Sequence, residues 1–216
     1  MKTDPYEKKA DQYDDWFFRN RFAYEAELQA VELLLPKGGT GVEIGVGTGR
    51  FAGKLRIPLG VEPSKSMREI ARKRGISVIG GIAEALPFRD GRFDFVLMVT
   101  VLCFFDDVTG SLREAYRVLR PGGSLVIAFI DRNSPIGRTY EERKRESLFY
   151  RDATFYSAHE VMAFLARTGF RTEAFLQTIF RDPGRMEDTE PVREGYGEGG
   201  FVVVKAGKSF GNQHRP

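Results

Sequence analysis

Gly41-Val42-Glu43-Ile44-Gly45-Val46-Gly47-Thr48-Gly49-Arg50 decides how this chain is read. A short apolar run, Gly41 to Ile44, leads into three glycines at every second position. A helix-like segment, Phe51-Ala52-Gly53-Lys54-Leu55, follows. Strand, glycine turn and helix in that order bring backbone close to a nucleotide-like ligand in α/β proteins. Glycine is required because a Cβ would block the turn or the ligand's approach. A tight βα turn with no ligand is the plain alternative.

Spacing and charge separate two ligand classes. A dinucleotide fingerprint, G-x-G-x-x-G, would place its third glycine at position 50, where this chain has Arg50. Glu43 lies two residues before Gly45 and is expected at the strand's end, facing the pocket. A pyrophosphate calls for amide donors rather than a carboxylate. S-adenosylmethionine (SAM) carries a sulfonium and an ammonium, and a carboxylate attracts both. Glu43 with Gly45, Gly47 and Gly49 therefore favours SAM over NAD.

Working outward, Pro58-Leu59-Gly60-Val61-Glu62-Pro63-Ser64 reads as a second strand ending in an acid placed to accept from ribose hydroxyls. Ser64 is a suitable N-cap for a helix from Lys65 to Arg74, with Gly75 as its stop. Met67, on that helix's first turn, either lies against a purine face or fills core. Further strands are expected at Thr40 to Val46, Ile57 to Glu62, Ile76 to Gly80, Phe93 to Thr100 and Ser124 to Ile130, interleaved with helices. Arg171 to Phe180 and Phe201 to Lys205 would close the sheet as an antiparallel pair. Helices are expected at Tyr6 to Arg19, Arg21 to Leu35, Val108 to Leu119 and Ser157 to Thr168. The last is opened by a capping box of Ser157 and Glu160.

The order of Val42 to Gly49, Gly60-Val61-Glu62-Pro63-Ser64, Gly81-Ile82-Ala83-Glu84-Ala85-Leu86-Pro87-Phe88 and Leu119-Arg120-Pro121-Gly122-Gly123 resembles the class I SAM-dependent methyltransferases. More narrowly it is similar to the methyltransferase type 11 group, which includes the ubiquinone/menaquinone C-methyltransferases. The resemblance spans residues 28 to 206. It implies an α/β, Rossmann-like, doubly wound sheet of seven mostly parallel strands, the last antiparallel, with helices on both faces. It also implies that SAM is the methyl donor and S-adenosylhomocysteine the product. Gly45, Gly47 and Gly49 would line the methionine part, Glu62 would hold the ribose, Ala83 with Glu84 would edge the adenine, and Pro63 would be a further cofactor-binding residue. Thr100 would stand between cofactor and acceptor. Two departures stand out. Ile82 replaces an Asp that often accepts from the adenine amino group. The run Val101-Leu102-Cys103-Phe104-Phe105 lacks the His that many relatives carry there. The Asn/Asp-Pro-Pro-Tyr signature of amino-group methyltransferases acting on bases or protein glutamine is absent from the sequence.

At 216 residues the chain fits a single domain, 1–216. A net charge of +3 without a basic stripe argues against nucleic acid as partner, although a pI near 9.0 keeps an RNA methyltransferase as an alternative. A non-catalytic SAM-binding protein is the third reading. The lone Cys103 allows no internal disulfide, which points to a reducing, cytoplasmic setting. No apolar run approaches the ~18 residues of a membrane span. Neither His159 nor His214 has metal-site spacing, so no metal is expected. Charged residues at 29% with few Asn and Gln resemble a thermophile's composition.

Two aromatic-rich segments fall outside the regular units. These are an N-terminal helical cap, 1–24, and an insertion, 131–156, after the fifth strand. Both are placed to form a lid over a small apolar or aromatic methyl acceptor, with Tyr13, Trp16, Phe17, Tyr140 and Tyr150 facing it. Trp16 and Phe17 could equally be core. Tyr13, Glu84, Asp106 and Tyr150 are the candidate bases, and residues 208–216 read as a frayed tail.

Overall fold

In this computed structural model, residues 4–209 are described. Strand β1 (Gly41–Ile44) lies in mid-sheet with β2 (Leu59–Val61) and then β3 (Ser77–Ile79) on one side. On its other side come β4 (Phe93–Val99) and β5 (Leu119–Ile130). Strands β6 (Phe170–Thr178), β7 (Arg193–Glu194) and β8 (Phe201–Lys208) complete the order β3-β2-β1-β4-β5-β8-β6-β7. The first five strands are parallel, while β8 runs antiparallel to both β5 and β6. These are the expected seven strands with a two-residue edge strand, β7, added. The chain reverses its direction of travel across the sheet between β1 and β4. That switch point leaves a crevice beyond the strands' carboxyl ends.

Both faces of the sheet are covered, which explains the near-continuous apolar strands. Val96 and Met98 point into one layer with Leu112, Ala115, Val161 and Leu165 of helices α6 (Val108–Val118) and α8 (Ala158–Arg167), labels that count α1 to α8 in chain order. Phe95, Leu97 and Val99 point the other way, against Ala26, Ala30 and Val31 of α3 (Arg21–Leu34) and Phe51 of α4 (Arg50–Leu55). Each large side chain buried this way contributes about 1.5–3 kcal/mol. The remaining helices are α1 (Asp4–Lys8), α2 (Ala10–Arg19), α5 (Lys65–Lys73) and α7 (Pro135–Arg143). Among the described residues, no helix is long and apolar enough to cross a membrane.

Three boundaries differ from the sequence reading. The expected single helix from Tyr6 to Arg19 breaks at Lys9, whose φ of −136° is not helical. The break lets Glu7 turn toward α5, where it accepts from the hydroxyls of Ser64 (2.6 Å) and Ser66 (3.1 Å). Strand β5 begins at Leu119 rather than Ser124, through an irregularity opposite Phe93 and Phe95. Lys208 is no tail residue: it ends β8, and its Nζ donates to the carbonyls of Tyr116 and Leu119, both at 2.7 Å. The rest of the expected tail, from residue 210, lies outside the described residues. The capping box of Ser157 and Glu160 is formed at the start of α8.

Candidate active site

The glycine turn after β1 is held by its neighbour strand. The amides of Gly45 and Val46 both donate to the Val61 carbonyl, at 2.8 and 3.1 Å. Gly45 has a φ of +71°, and a Cβ there would collide with the Val101 side chain. Gly49, at φ +81°, is the N-cap of α4, and a Cβ on it would run into Ile76. Gly45 is thus required by the turn and the wall behind it, and Gly49 by packing against α5.

Glu62 follows β2 and faces the turn. Its Oε2 accepts from the Gly47 amide at 3.0 Å and its Oε1 from the Ser64 amide at 2.9 Å. A carboxylate has about four lone-pair sites, so each oxygen keeps capacity for a ligand hydroxyl. Burial pushes the Glu62 carboxyl above the usual range, and the two amides offset part of that rise. Ser64 then caps α5 by accepting from the Met67 amide at 3.2 Å.

These groups border a cleft of about 330 Å³. Gly45, Gly47, Glu62, Pro63, Met67, Gly81 to Glu84 and Thr100 are among its walls. Of the expected cofactor residues, Glu43 and Gly49 are absent from its walls. Val42 and Ile44 point into the α6/α8 layer, so the alternation of β1 turns Glu43 away, toward α4. There it is 2% exposed, takes a hydrogen bond from the Ala52 backbone, and leaves Oε2 without a partner. Burial raises its carboxyl well above the usual range. Ile82, in the place where the resemblance leads one to expect an acid, lines the cleft and is half exposed. Sequence reasoning missed Tyr6, Phe104 and Phe105, which also line the cleft. Tyr6 was visible only as one of many N-terminal aromatics.

The four candidate bases all line the cleft. Glu84 is engaged by the amides of Asp106 (3.0 Å) and Asp107 (3.4 Å), pinning the loop before α6. Burial raises the phenols of Tyr13 and Tyr150 well above 10, so both stay protonated and serve as donors. Asp106 lines the cleft with its amide held by Glu84.

A second cavity, of about 240 Å³, abuts the first, and Tyr13, Thr100 and Tyr150 line both. Thr100 ends β4 with a φ of +52°, a conformation a β-branched residue rarely adopts. Its amide donates to Ala128 at 2.8 Å, which holds the strained backbone in place. Trp16, Phe17 and Tyr140 line this second cavity only. Phe17 also packs edge-on against Tyr24 and Phe51. One aromatic surface therefore serves as core on one side and cavity wall on the other.

The N-terminal cap is tied to the glycine turn by Asp14, which sequence reasoning did not single out. Its carboxylate accepts from Thr48 Oγ1 (2.6 Å), Arg50 Nε (2.8 Å) and Arg74 (2.7 Å). Arg50, the residue in place of the third dinucleotide glycine, also covers the Phe18 ring at 4.2 Å. Burial acts to raise the Asp14 pKa, but hydrogen bonds from Arg50, Arg74 and Thr48 outweigh it and hold it at about 2. A depressed carboxyl contributes stability that is present above its unfolded pKa, about 3.9, and is lost as pH falls toward 2. The contribution is about 2 kcal/mol. Asp14→Asn should therefore lower the urea midpoint at pH 7 and lose most of its deficit relative to wild type near pH 2.5. An equal deficit at both pH values would assign the loss to packing rather than to charge.

Four similarities to known proteins bear on identity. A family model described as a methyltransferase domain matches residues 42–127. A crystal structure from Thermotoga maritima, described as a SAM-dependent methyltransferase and possible histamine N-methyltransferase, superposes with a TM-score of 0.93. It is 51% identical, over 96% of this chain and 100% of that one. An uncharacterized protein of Methanocaldococcus jannaschii is 48% identical over 94% of this chain and 98% of its own length. A demethylmenaquinone methyltransferase of Lactococcus lactis is 29% identical, and the match covers 71% of this chain but 59% of that protein. The chain belongs to the class I SAM-dependent methyltransferases. SAM is its cofactor, and a methyl acceptor is its second substrate.

Proposed function

We propose that this methyltransferase acts on a small apolar or aromatic molecule held in the 240 Å³ cavity, beneath a lid built from the described part of the N-terminal cap, 4–24, and from 131–156. The supporting observation is the shared wall: Tyr13, Thr100 and Tyr150 border both the cleft of the glycine turn and the aromatic cavity. An acceptor in the second cavity would meet a cofactor in the first across those three residues. An RNA-binding face would instead present basic side chains around a shallow opening. The possible histamine substrate named for the Thermotoga protein is also a small molecule.

In this reading the glycine turn borders the methionine part of SAM and Glu62 takes the ribose, with Gly81 to Ala83 and Met67 around the adenine. Glu43 stands one layer behind the turn, outside the cleft walls, and its raised carboxyl brings neither charge nor contact to the cofactor. SAM supplies a methyl group on a sulfonium, ready for in-line transfer to a nucleophile. The protein's own task is to align the acceptor and exclude water. The aromatic walls and lid supply both.

Two measurements test the proposal. S-adenosylhomocysteine should raise the melting temperature and NAD should not. At a hundredfold excess over Kd the gain is about 2.7 kcal/mol, or several degrees for a chain of this size. Labelled SAM offered with small aromatic acceptors and with RNA should label the former. Labelling of RNA alone would refute the small-molecule reading.

A further inference from the structure

We propose that the acceptor carries a basic nitrogen and that Glu27 binds it and takes its proton. This rests on the reading of the 240 Å³ cavity as the acceptor site. Glu27 lies in the middle of α3 and lines that cavity. It makes no hydrogen bond or ion pair to any described residue. Three other acids near the site are engaged: Asp14 by two arginines, Glu62 by two amides, and Glu84 by the loop before α6. Tyr13, Trp16, Phe17, Tyr140 and Phe149 line the same cavity as Glu27. A lone carboxylate among aromatic faces is costly for a neutral ligand's site and complementary to an organic cation. The ring faces attract the cation and the carboxylate pairs with it.

The titratable groups around it leave that role to Glu27. The phenols of Tyr13, Tyr24 and Tyr140 feel its charge and are themselves raised, so they stay neutral. Arg19 lines the cavity without pairing to it, and Asp182 acts on Tyr140 from the neighbouring loop. Burial pushes the Glu27 carboxyl up to about 8, so it becomes a proton acceptor as pH rises to that value, and an ammonium beside it favours the ionised form. An ammonium entering the cavity gives one proton to Glu27, breaking N–H and forming O–H. The freed lone pair forms the N–C bond as sulfur retains the electrons of the S–C bond. The product leaves as a methylated ammonium, and Glu27 returns its proton to water.

The test uses the full chain loaded with S-adenosylhomocysteine, two arylalkylamines (2-phenylethylamine and tryptamine) and their neutral alcohols (2-phenylethanol and tryptophol). Calorimetry should show at least one amine binding more tightly than its alcohol. Glu27→Gln should weaken that amine about a hundredfold, while alcohol and S-adenosylhomocysteine binding stay unchanged. In turnover, the rise of kcat/KM with pH that belongs to Glu27 should disappear in the Gln variant and return in Glu27→Asp. Equal binding of amine and alcohol, an amine indifferent to Glu27→Gln, or binding of none of the four overturns the inference. Transfer to a neutral small acceptor would then leave the small-molecule reading standing. Transfer to RNA alone would remove both.

Discussion

Replacing Glu62 by alanine should weaken SAM binding by two to four orders of magnitude while leaving the fold intact. A hydrogen bond to a charged group is worth about 1.5–3 kcal/mol, and Glu62 has one oxygen for each of two ribose hydroxyls. The same oxygens hold the amides of Gly47 and Ser64. The variant therefore loses the ligand contacts and also the anchor that sets the turn facing them. Stability should fall less than affinity, because removing a buried carboxylate relieves desolvation as it strands two amides. Glu62→Gln keeps an acceptor oxygen and should fall between alanine and wild type. The wild-type protein should also lose affinity on the acid side. Its Glu62 pKa lies above the usual range, and the protonated form gives up acceptor capacity. That acid limb should vanish in Glu62→Gln. Calorimetry with S-adenosylhomocysteine across pH measures both effects, and unchanged affinity in the alanine variant would show the ribose to be held elsewhere.

Much of this site was legible in the sequence because a turn and a strand end are local. Gly45, Gly47, Glu62, Ser64 and Met67 lie within 23 consecutive positions, and their roles follow from φ > 0, an acid at a strand's end and an N-cap. The strands read well because burial on both sides makes them apolar throughout. What did not read well depends on distant chain. Glu43 was expected to face the pocket, but the register of β1 against β2 and β4 turns it toward α4, and a single acid in a four-residue strand carries no signal of its face. Asp14 is one of two adjacent acids on an amphipathic helix; its partners Thr48, Arg50 and Arg74 are between 34 and 60 positions away. Glu27 was not singled out, because its neighbours in the cavity come from α2 and the insertion 131–156 and nothing local marks it. Lys208 looked like a tail because its two carbonyl partners lie about 90 residues earlier.

The largest dynamic effect should be in amide exchange across the two covering segments. In the free protein, residues 10–19 and 135–152 should exchange faster than β4 and β5 by on the order of a hundredfold or more, since local opening costs far less than global unfolding. Their burial supports this. Helix α7 buries only Gly137, and α2 buries only Ala10 and Phe17, whereas six of the seven residues of β4 are buried. The two segments hold each other through aromatic edges, with Tyr6 and Tyr13 both against Phe149 and the Tyr6 hydroxyl donating to the Phe149 carbonyl at 3.1 Å. Such a seam opens as a unit when its few contacts part. Asp14 anchors α2 to the glycine turn, so α7 and residues 144–152 should open more readily than α2. Cofactor should slow exchange in α2 first, because it orders the turn to which Asp14 is tied. Acceptor with cofactor should then slow both segments, as expected of a lid that closes over its substrate. If both are already as protected as β4 in the free protein, they are core. The enclosed acceptor site would then lose its means of entry, and an open surface for a larger acceptor would be the better reading of this fold.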